Sequence, residues 1–393
     1  MIDQRFEATV AITGIGQSAI GRRLGRSGLD LTVDAALAAI DDAGLLPADI
    51  DGVATFPGES ADPGFAGCGV WELRDALDLP LRWFEGSPQT SGQLGPFIDA
   101  SMAVACGLAS HVLCFRTVRE SSAQRAGGRA DVVAAEPLVR DWRRWLAPFG
   151  APSAANWIAL YAQHHFERYG TTREQLGAIA CNARANAALN PNAVFRDPLT
   201  LDDYLGARMI STPLCLYDCD VPVDGSTAVV VSARDRGRDG RRDPVHLEAV
   251  GCGLRGPFAW DQIDGLAGMA ATGAAEALWQ RTDLRPSDVD VAELYDGFSI
   301  LALAWLEALG FCDVGDGGPF VDGGKAISLD GPLPLNTQGG QLSGGRLHGY
   351  GMLHEAVVQL RGDGVARQVR DRPEVAVVSA GGGPLAGCLL LTR

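Results

Sequence analysis

Residues 45–56 read LLPADIDGVATF, and residues 284–295 read LRPSDVDVAELY. The two stretches share Pro47/Pro286, Asp49/Asp288 and Asp51/Asp290 at the same spacing. Each follows a run with helical periodicity, 31–43 and 270–282, and each leads into an apolar, strand-like segment. Later in both copies come a Gly/Ser loop, a helix and an apolar strand. In the first copy these are SGQLGPFIDASMAVACG, starting at residue 91, and HVLCF; in the second they are SGGRLHGYGMLHEAVVQLRG, starting at residue 343, and EVAVVSAGGG. The same order met twice predicts an internal duplication; coincidence between two βα units is the rival reading. Two α/β halves of one order imply two packed mixed sheets with helices between and outside them, and the natural site is the cleft between the halves.

Outside the repeat, ATVAITGIG (8–16) reads as a buried strand entering a Gly turn, and 30–44 as a helix stopped by Gly44. Residues 120–150 are rich in Arg and Trp and read as a loop, a lid or a subunit contact. The run 153–189 reads as helix broken at TTREQ, with Thr171 or Thr172 and Glu174 as the start signal of the second piece. The charged stretch DRGRDGRRDP (235–244) is the best linker candidate.

Composition excludes several classes. A chain of 393 residues with 47% apolar and 21% charged residues can bury large cores and is not disordered. A formal charge of -15 argues against a nucleic-acid or anionic-membrane surface. No apolar run reaches the roughly 18 residues that span a bilayer, and the start, MIDQRFEATV, lacks a signal-peptide pattern. The nine cysteines are scattered without a CxxC pair, which points to reduced thiols, no metal site and a cytoplasmic protein.

The stretch LNTQGGQLSGGRLHGYG (335–351) is a glycine-rich loop ahead of a helical run, and it carries Arg346, His348 and Tyr350, side chains able to bind anions or move protons. Read blandly, it is an ordinary Gly-rich turn.

Taken together, YGTTREQLGAIACNARANAALNPNA (169–193), STPLCLYDCDVPVDGSTAVVV (211–231), ELYDGFS (293–299), NTQGG with SGG (336–345) and SAGGGPLAG (379–387) make the chain resemble the thiolase superfamily over nearly its whole length. The resemblance is to the sterol-carrier/lipid-transfer thiolase-like branch, nearest to the thiolase-like retro-aldolases of bacterial steroid side-chain degradation. It implies an α/β thiolase-like fold, layered αβαβα with two mixed five-stranded sheets. The halves would be 1–240, with an insertion at about 115–225, and 241–393. The four thiolase chemical groups are replaced. Gln89 of QTSG stands at the nucleophilic cysteine, Tyr295 and Asp296 of YDGF at the Asn-Glu pair, Arg346 after Gly345 at the histidine, and Ser379 at the second cysteine. Thiolytic chemistry needs a thiolate, so the resemblance implies instead a retro-aldol cleavage of a β-hydroxy acyl-CoA, with a steroid side-chain CoA thioester as substrate and no other cofactor. By carry-over, Tyr295 and Tyr350 are the acid/base pair, backbone N–H groups of Gln89 and Gly381 hold the enolate, and Arg346 and His348 supply positive charge. The resemblance also implies a homodimer, and a partner with a DUF35-type OB-fold, fused or bound to a MaoC-like hydratase. Two other readings stay open. One is an acyltransferase using Cys68 of GFAGCGVW; the other is a non-catalytic acyl-CoA or lipid binder. On the bland side, Asp296 reads as a cap for the helix that follows it, His354 as structural, and His164 and His165 as exposed.

Overall fold

The computed structural model describes residues 5–58, 60, 63–124, 143–151, 153–235, 242–256 and 262–393. The first copy of the repeat runs β1 (Val10–Gln17), α1 (Gly28–Asp42), β2 (Gly52–Thr55), α2 (Val70–Leu77), β3 (Trp83–Gly86), α3 (Gly95–Ala105) and β4 (His111–Arg119). After α4 (Ala154–Tyr169), α5 (Arg173–Leu189) and a small hairpin of β5 (Met209–Ser211) and β6 (Leu214–Cys215), it closes with β7 (Asp224–Ala233). The second copy runs β8 (Val245–Leu254), α6 (Ala270–Trp279), β9 (Val291–Glu293), α7 (Ser299–Ala308), α8 (Tyr350–Arg361), β10 (Val375–Gly381) and β11 (Leu385–Thr392).

The shared Pro-x-Asp-x-Asp pattern has the same physical job twice. Asp49 and Asp288 each accept a backbone bond three residues back, from Leu46 and Arg285, closing a short 3-10 turn opened by proline. Asp51 accepts from the N–H groups of Ser110 and His111 at the head of β4 (2.8 and 2.9 Å). Asp290 does the same for Glu374 and Val375 at the head of β10 (2.7 and 3.0 Å). Each aspartate ties a strand entrance to the strand beside it.

Nine of the described strands form one mixed sheet, ordered β3-β2-β4-β7-β1-β8-β11-β10-β9, where two five-stranded sheets were expected. The halves meet at β1 and β8 through only two residue pairs, Ala11 with His246 and Ile12 with Val245, so the sheet is five strands plus four with a narrow seam. The missing fifth strand is reduced to an isolated parallel bridge between Leu335 and Ala292. It cannot extend, because Asn336 already turns into the left-handed region (φ 52°) and opens the glycine loop.

Alternate residues of the strands face different layers, as a period of two requires. Val53 and Leu113 pack under α1 and α2. Ala54 and Cys114 face α3 and α8, which are shared with Val291 and Val378 of the second half. Val377 and Leu390 face α4 to α7. The order of layers is αβαβα, and α3 and α8 are the central pair.

Two local readings change. The second helix of the 153–189 run is capped by Thr172 with Gln175, not Glu174, because the reciprocal bond falls on the third helical residue. His165 is buried, its Nδ1 2.8 Å from Thr171 Oγ1 and its Nε2 3.0 Å from Glu307 Oε1, because α4 is packed on that face; His164 is exposed. Much of the Arg- and Trp-rich stretch (125–142) and the centre of the linker candidate (236–241) lie outside the described residues. Among the described residues no helix is long and apolar enough to cross a membrane.

Candidate active site

The end of β9 and the glycine loop are sewn together residue by residue. Asn336 Oδ1 accepts from Leu294 N (2.7 Å) and its Nδ2 donates to Leu294 O (2.9 Å). Thr337 gives Glu293 Oε1 both its N–H (3.0 Å) and its hydroxyl (2.7 Å). Gln341 N donates to Asp296 Oδ1 at 2.8 Å. Gly340 is required for this approach. It sits at φ 58°, and a Cβ there would lie 1.9 Å from Asp296 Oδ2.

Asp296 is therefore a strut for the loop and not a helix cap; the N-cap of α7 is Phe298, without a side-chain bond. Asp296 is fully buried, and Oδ2 has no hydrogen-bond partner among the described residues. Burial pushes its carboxyl up to about 7, against the opposing bond from Gln341.

Tyr295 follows on the same segment. It is half-buried, its N–H donates to Ser379 Oγ (2.9 Å), and its ring lies against Gly297, where a Cβ would come within 2.8 Å. Ser379, at the second-cysteine position, thus anchors backbone. Tyr350 opens α8. Its side chain is fully buried, and its hydroxyl lacks a hydrogen-bond partner among the described residues. Burial, reinforced by Cys114, Glu85 and Asp99, lifts this phenol well above its ordinary value; Arg116 opposes the rise.

The expected positive charge is divided differently from the sequence reading. Arg346 is buried and spends Nε and Nη2 on Glu120 and Nη1 on Asp220 (3.1 and 3.2 Å), so its fork braces the loop against two carboxylates. His348 is held at φ 49°, with its N–H on Gln341 Oε1 (3.0 Å) and its ring against Phe65. Its Nδ1 lies 3.0 Å from Arg116 Nη2. A guanidinium can only donate, so His348 Nδ1 accepts and the ring is neutral, with its proton on Nε2.

Arg116, on β4, is the residue sequence reasoning missed. It lies fully buried within electrostatic reach of both tyrosines, Glu120 and Arg346. The signal was an arginine inside the apolar run HVLCFRTVR, where each of Phe115, Arg116 and Thr117 is buried.

The structure brings Tyr295, Tyr350, His348 and Arg346 together around Arg116. Gln89 is exposed on the neighbouring 87–94 loop, and its N–H is engaged by Ser87 Oγ at 3.1 Å. That loop abuts the end of β10: a Cβ on Gly92 would come 3.0 Å from Ala380 O, next to Gly381 (φ 74°). Cys68 lies under α1 and α2 in the outer core, and burial pushes its thiol up to about 12. It is neither ionised nor placed as a nucleophile.

Fold and site define a thiolase-fold protein. Residues 259–389 match the thiolase C-terminal domain-like family. The chain is 36% identical over 389 residues to a steroid side-chain-cleaving aldolase of Thermomonospora curvata, covering 97% of each chain. It is 35% identical over 395 residues to the 17-hydroxy-3-oxo-4-pregnene-20-carboxyl-CoA lyase of Mycobacterium tuberculosis, covering 97% of this chain and 98% of that one. The solved Ltp2-ChsH2(DUF35) aldolase superposes with a TM-score of 0.86 at 34% identity over 98% of both chains. The chain belongs to the thiolase superfamily, in its steroid side-chain-cleaving aldolase branch, and is a carbon–carbon lyase of that branch.

Proposed function

We propose that this protein cleaves the Cα–Cβ bond of a β-hydroxy acyl-CoA carrying a steroid side chain, releasing a ketone and a short acyl-CoA such as propionyl-CoA, with Tyr295 as base and Tyr350 as acid. The reading is supported above all by the unlike settings of the two phenols. Tyr350 is fully enclosed, beside groups that keep it protonated, while Tyr295 is half-buried and faces two cations, Arg116 and Arg346.

Tyr295, as phenolate, takes the β-hydroxyl proton. The O–H electron pair becomes the carbonyl of the leaving ketone, and the Cα–Cβ pair passes into the thioester as an enolate. Preorganised donors hold that oxyanion; Gly381 at the end of β10 is suited to this, joined by Gln89 once its N–H leaves Ser87. Tyr350 then delivers its proton to Cα, and a proton passing from Tyr295 to Tyr350 resets the site. No acyl-enzyme forms, so the absent cysteine is not missed and no cofactor beyond the CoA substrate is needed.

A DUF35-type OB-fold partner is supported by the Ltp2-ChsH2(DUF35) likeness, and a MaoC-like hydratase would supply the β-hydroxy group. A homodimer is supported by β3, which among the described residues pairs only with β2 at the end of the sheet and carries exposed Phe84 beside exposed Trp71.

The test is co-expression with a DUF35 partner and mass-spectrometric turnover of a β-hydroxy steroid-CoA, beside Tyr295→Phe and Tyr350→Phe. General acid–base groups contribute about 10²–10⁴-fold, so each variant should lose at least about 100-fold in kcat with its fold intact. Turnover that survives both changes would sink the assignment.

A further inference from the structure

Arg116 stands out as a cation that no carboxylate bridges among the described residues. Its Nη1 donates to Phe56 O (3.0 Å) and Thr117 O (3.2 Å), its Nη2 to His348 Nδ1, and its Nε has no hydrogen-bond partner among the described residues. Phe65 and Phe56 cover the guanidinium at 4.6 and 5.5 Å from their ring centres. Arg346, close by, takes both local carboxylates, Glu120 and Asp220. A buried charge held only by neutral acceptors is expensive, and burial pulls this guanidinium down to about 10, Glu120 notwithstanding. Such a cost is tolerable where an anion is to appear. The groups facing Arg116 are Glu120, Arg346, Tyr295, Tyr350 and neutral His348. Of the two phenols, Tyr350 also faces Cys114, Glu85 and Asp99, while Tyr295 lies toward Arg346 as well.

We infer that Arg116 is a positioning residue for the cleavage, the buried counter-charge that holds Tyr295 as phenolate, with His348 fixing the guanidinium in place. This rests on the tyrosine reading proposed above. His348 can do so only while neutral, since its Nδ1 must accept from Arg116. Removing the charge at 116 raises the proton affinity of Tyr295, so less phenolate exists at a given pH and the acid limb of the rate profile moves upward.

The experiment has two readouts. The first is ultraviolet titration of the six tyrosines in the wild-type chain and in Tyr295→Phe. One phenol should ionise below the ordinary value of about 10 and vanish from the Tyr295→Phe titration. The second is the pH profile of kcat/KM for β-hydroxy steroid-CoA cleavage, with the partner present, in wild type, Arg116→Gln and Arg116→Lys. The acid limb should move up by about one to two pH units in Arg116→Gln, a 10- to 100-fold loss at fixed pH on that limb. Arg116→Lys should restore most of it.

A wild-type chain in which no tyrosine ionises below 10 overturns the inference, even if Arg116→Gln fails to fold. So does an Arg116→Gln profile lowered evenly at all pH, which would make Arg116 a direct ligand of the enolate or a purely structural group. Full turnover by Tyr295→Phe would instead overturn the tyrosine reading itself. A Tyr295→Phe enzyme that is dead, beside an unshifted Arg116→Gln limb, removes Arg116 alone.

Discussion

Asp296 shows what one buried carboxylate does to this chain. Its folded value, about 7, is above the ordinary carboxylate range, so the folded state binds a proton that the unfolded state has released. The stability this contributes is fully present below about pH 4 and is lost as pH rises through 7. The urea midpoint of wild type relative to Asp296→Asn should therefore fall between pH 4 and pH 8, since the amide cannot titrate. A constant difference across that range would show the carboxyl is ionised in the fold. Asn at this position keeps an acceptor for Gln341 N, which limits damage to the loop. The same residue marks a limit of the sequence reading. YDGF placed Asp296 at a chemically important position, but a cap and a strut look alike in sequence. They differ only in what lies 45 residues away, where Gln341 supplies the bond.

At the scale of elements, the repeat was legible because its residues make local bonds. Proline and aspartate close a short turn, and that turn is written in four consecutive residues, Leu46 to Asp49 and Arg285 to Asp288. The second aspartate reaches across to another strand, so its presence was visible and its partner was not. Asp51→Ala leaves the Ser110 and His111 N–H groups without their acceptor in a half-buried place, and should lower stability by about 1–3 kcal/mol. Asp290→Ala, at a more exposed position, should cost less, about 1 kcal/mol. Chemical denaturation of the two variants compares them directly. Equal, negligible effects would mean the matching aspartates do not hold the strand entrances. The missing fifth strand of the second half was illegible for the opposite reason. LPLN reads as strand, but Asn336 enters the left-handed region to clasp Leu294, and the strand stops at one bridge.

For the whole molecule, β3 forms one edge of the nine-stranded sheet, unpaired on its outer side among the described residues, and such edges are usually covered. Phe84 is 51% and Trp71 64% exposed on that side, their rings tilted against each other with centres 5.0 Å apart. If the proposed homodimer forms along this edge, wild type sediments as a dimer, and replacing Phe84 with aspartate should convert it to monomers in sedimentation velocity and leave the far-ultraviolet circular dichroism unchanged. A variant that remains dimeric would place the interface elsewhere.

By itself the sequence determined the repeated order of elements and the layered α/β class, which follow from periodicity and glycine spacing, properties of short stretches. The exchange of the thiolase cysteine and histidine for other groups, with Tyr295 and Tyr350 among them, was legible only through the likeness of whole motifs to that family. Tertiary structure alone decided how the charge is shared. Arg346 is consumed by Glu120 and Asp220, contributed by two distant segments, while Arg116, from the middle of an apolar strand, is left beside the tyrosines with only neutral acceptors. Which cation is spent and which remains available depends on burial and on partners more than 100 residues away, and neither is recorded in the order of the residues around it.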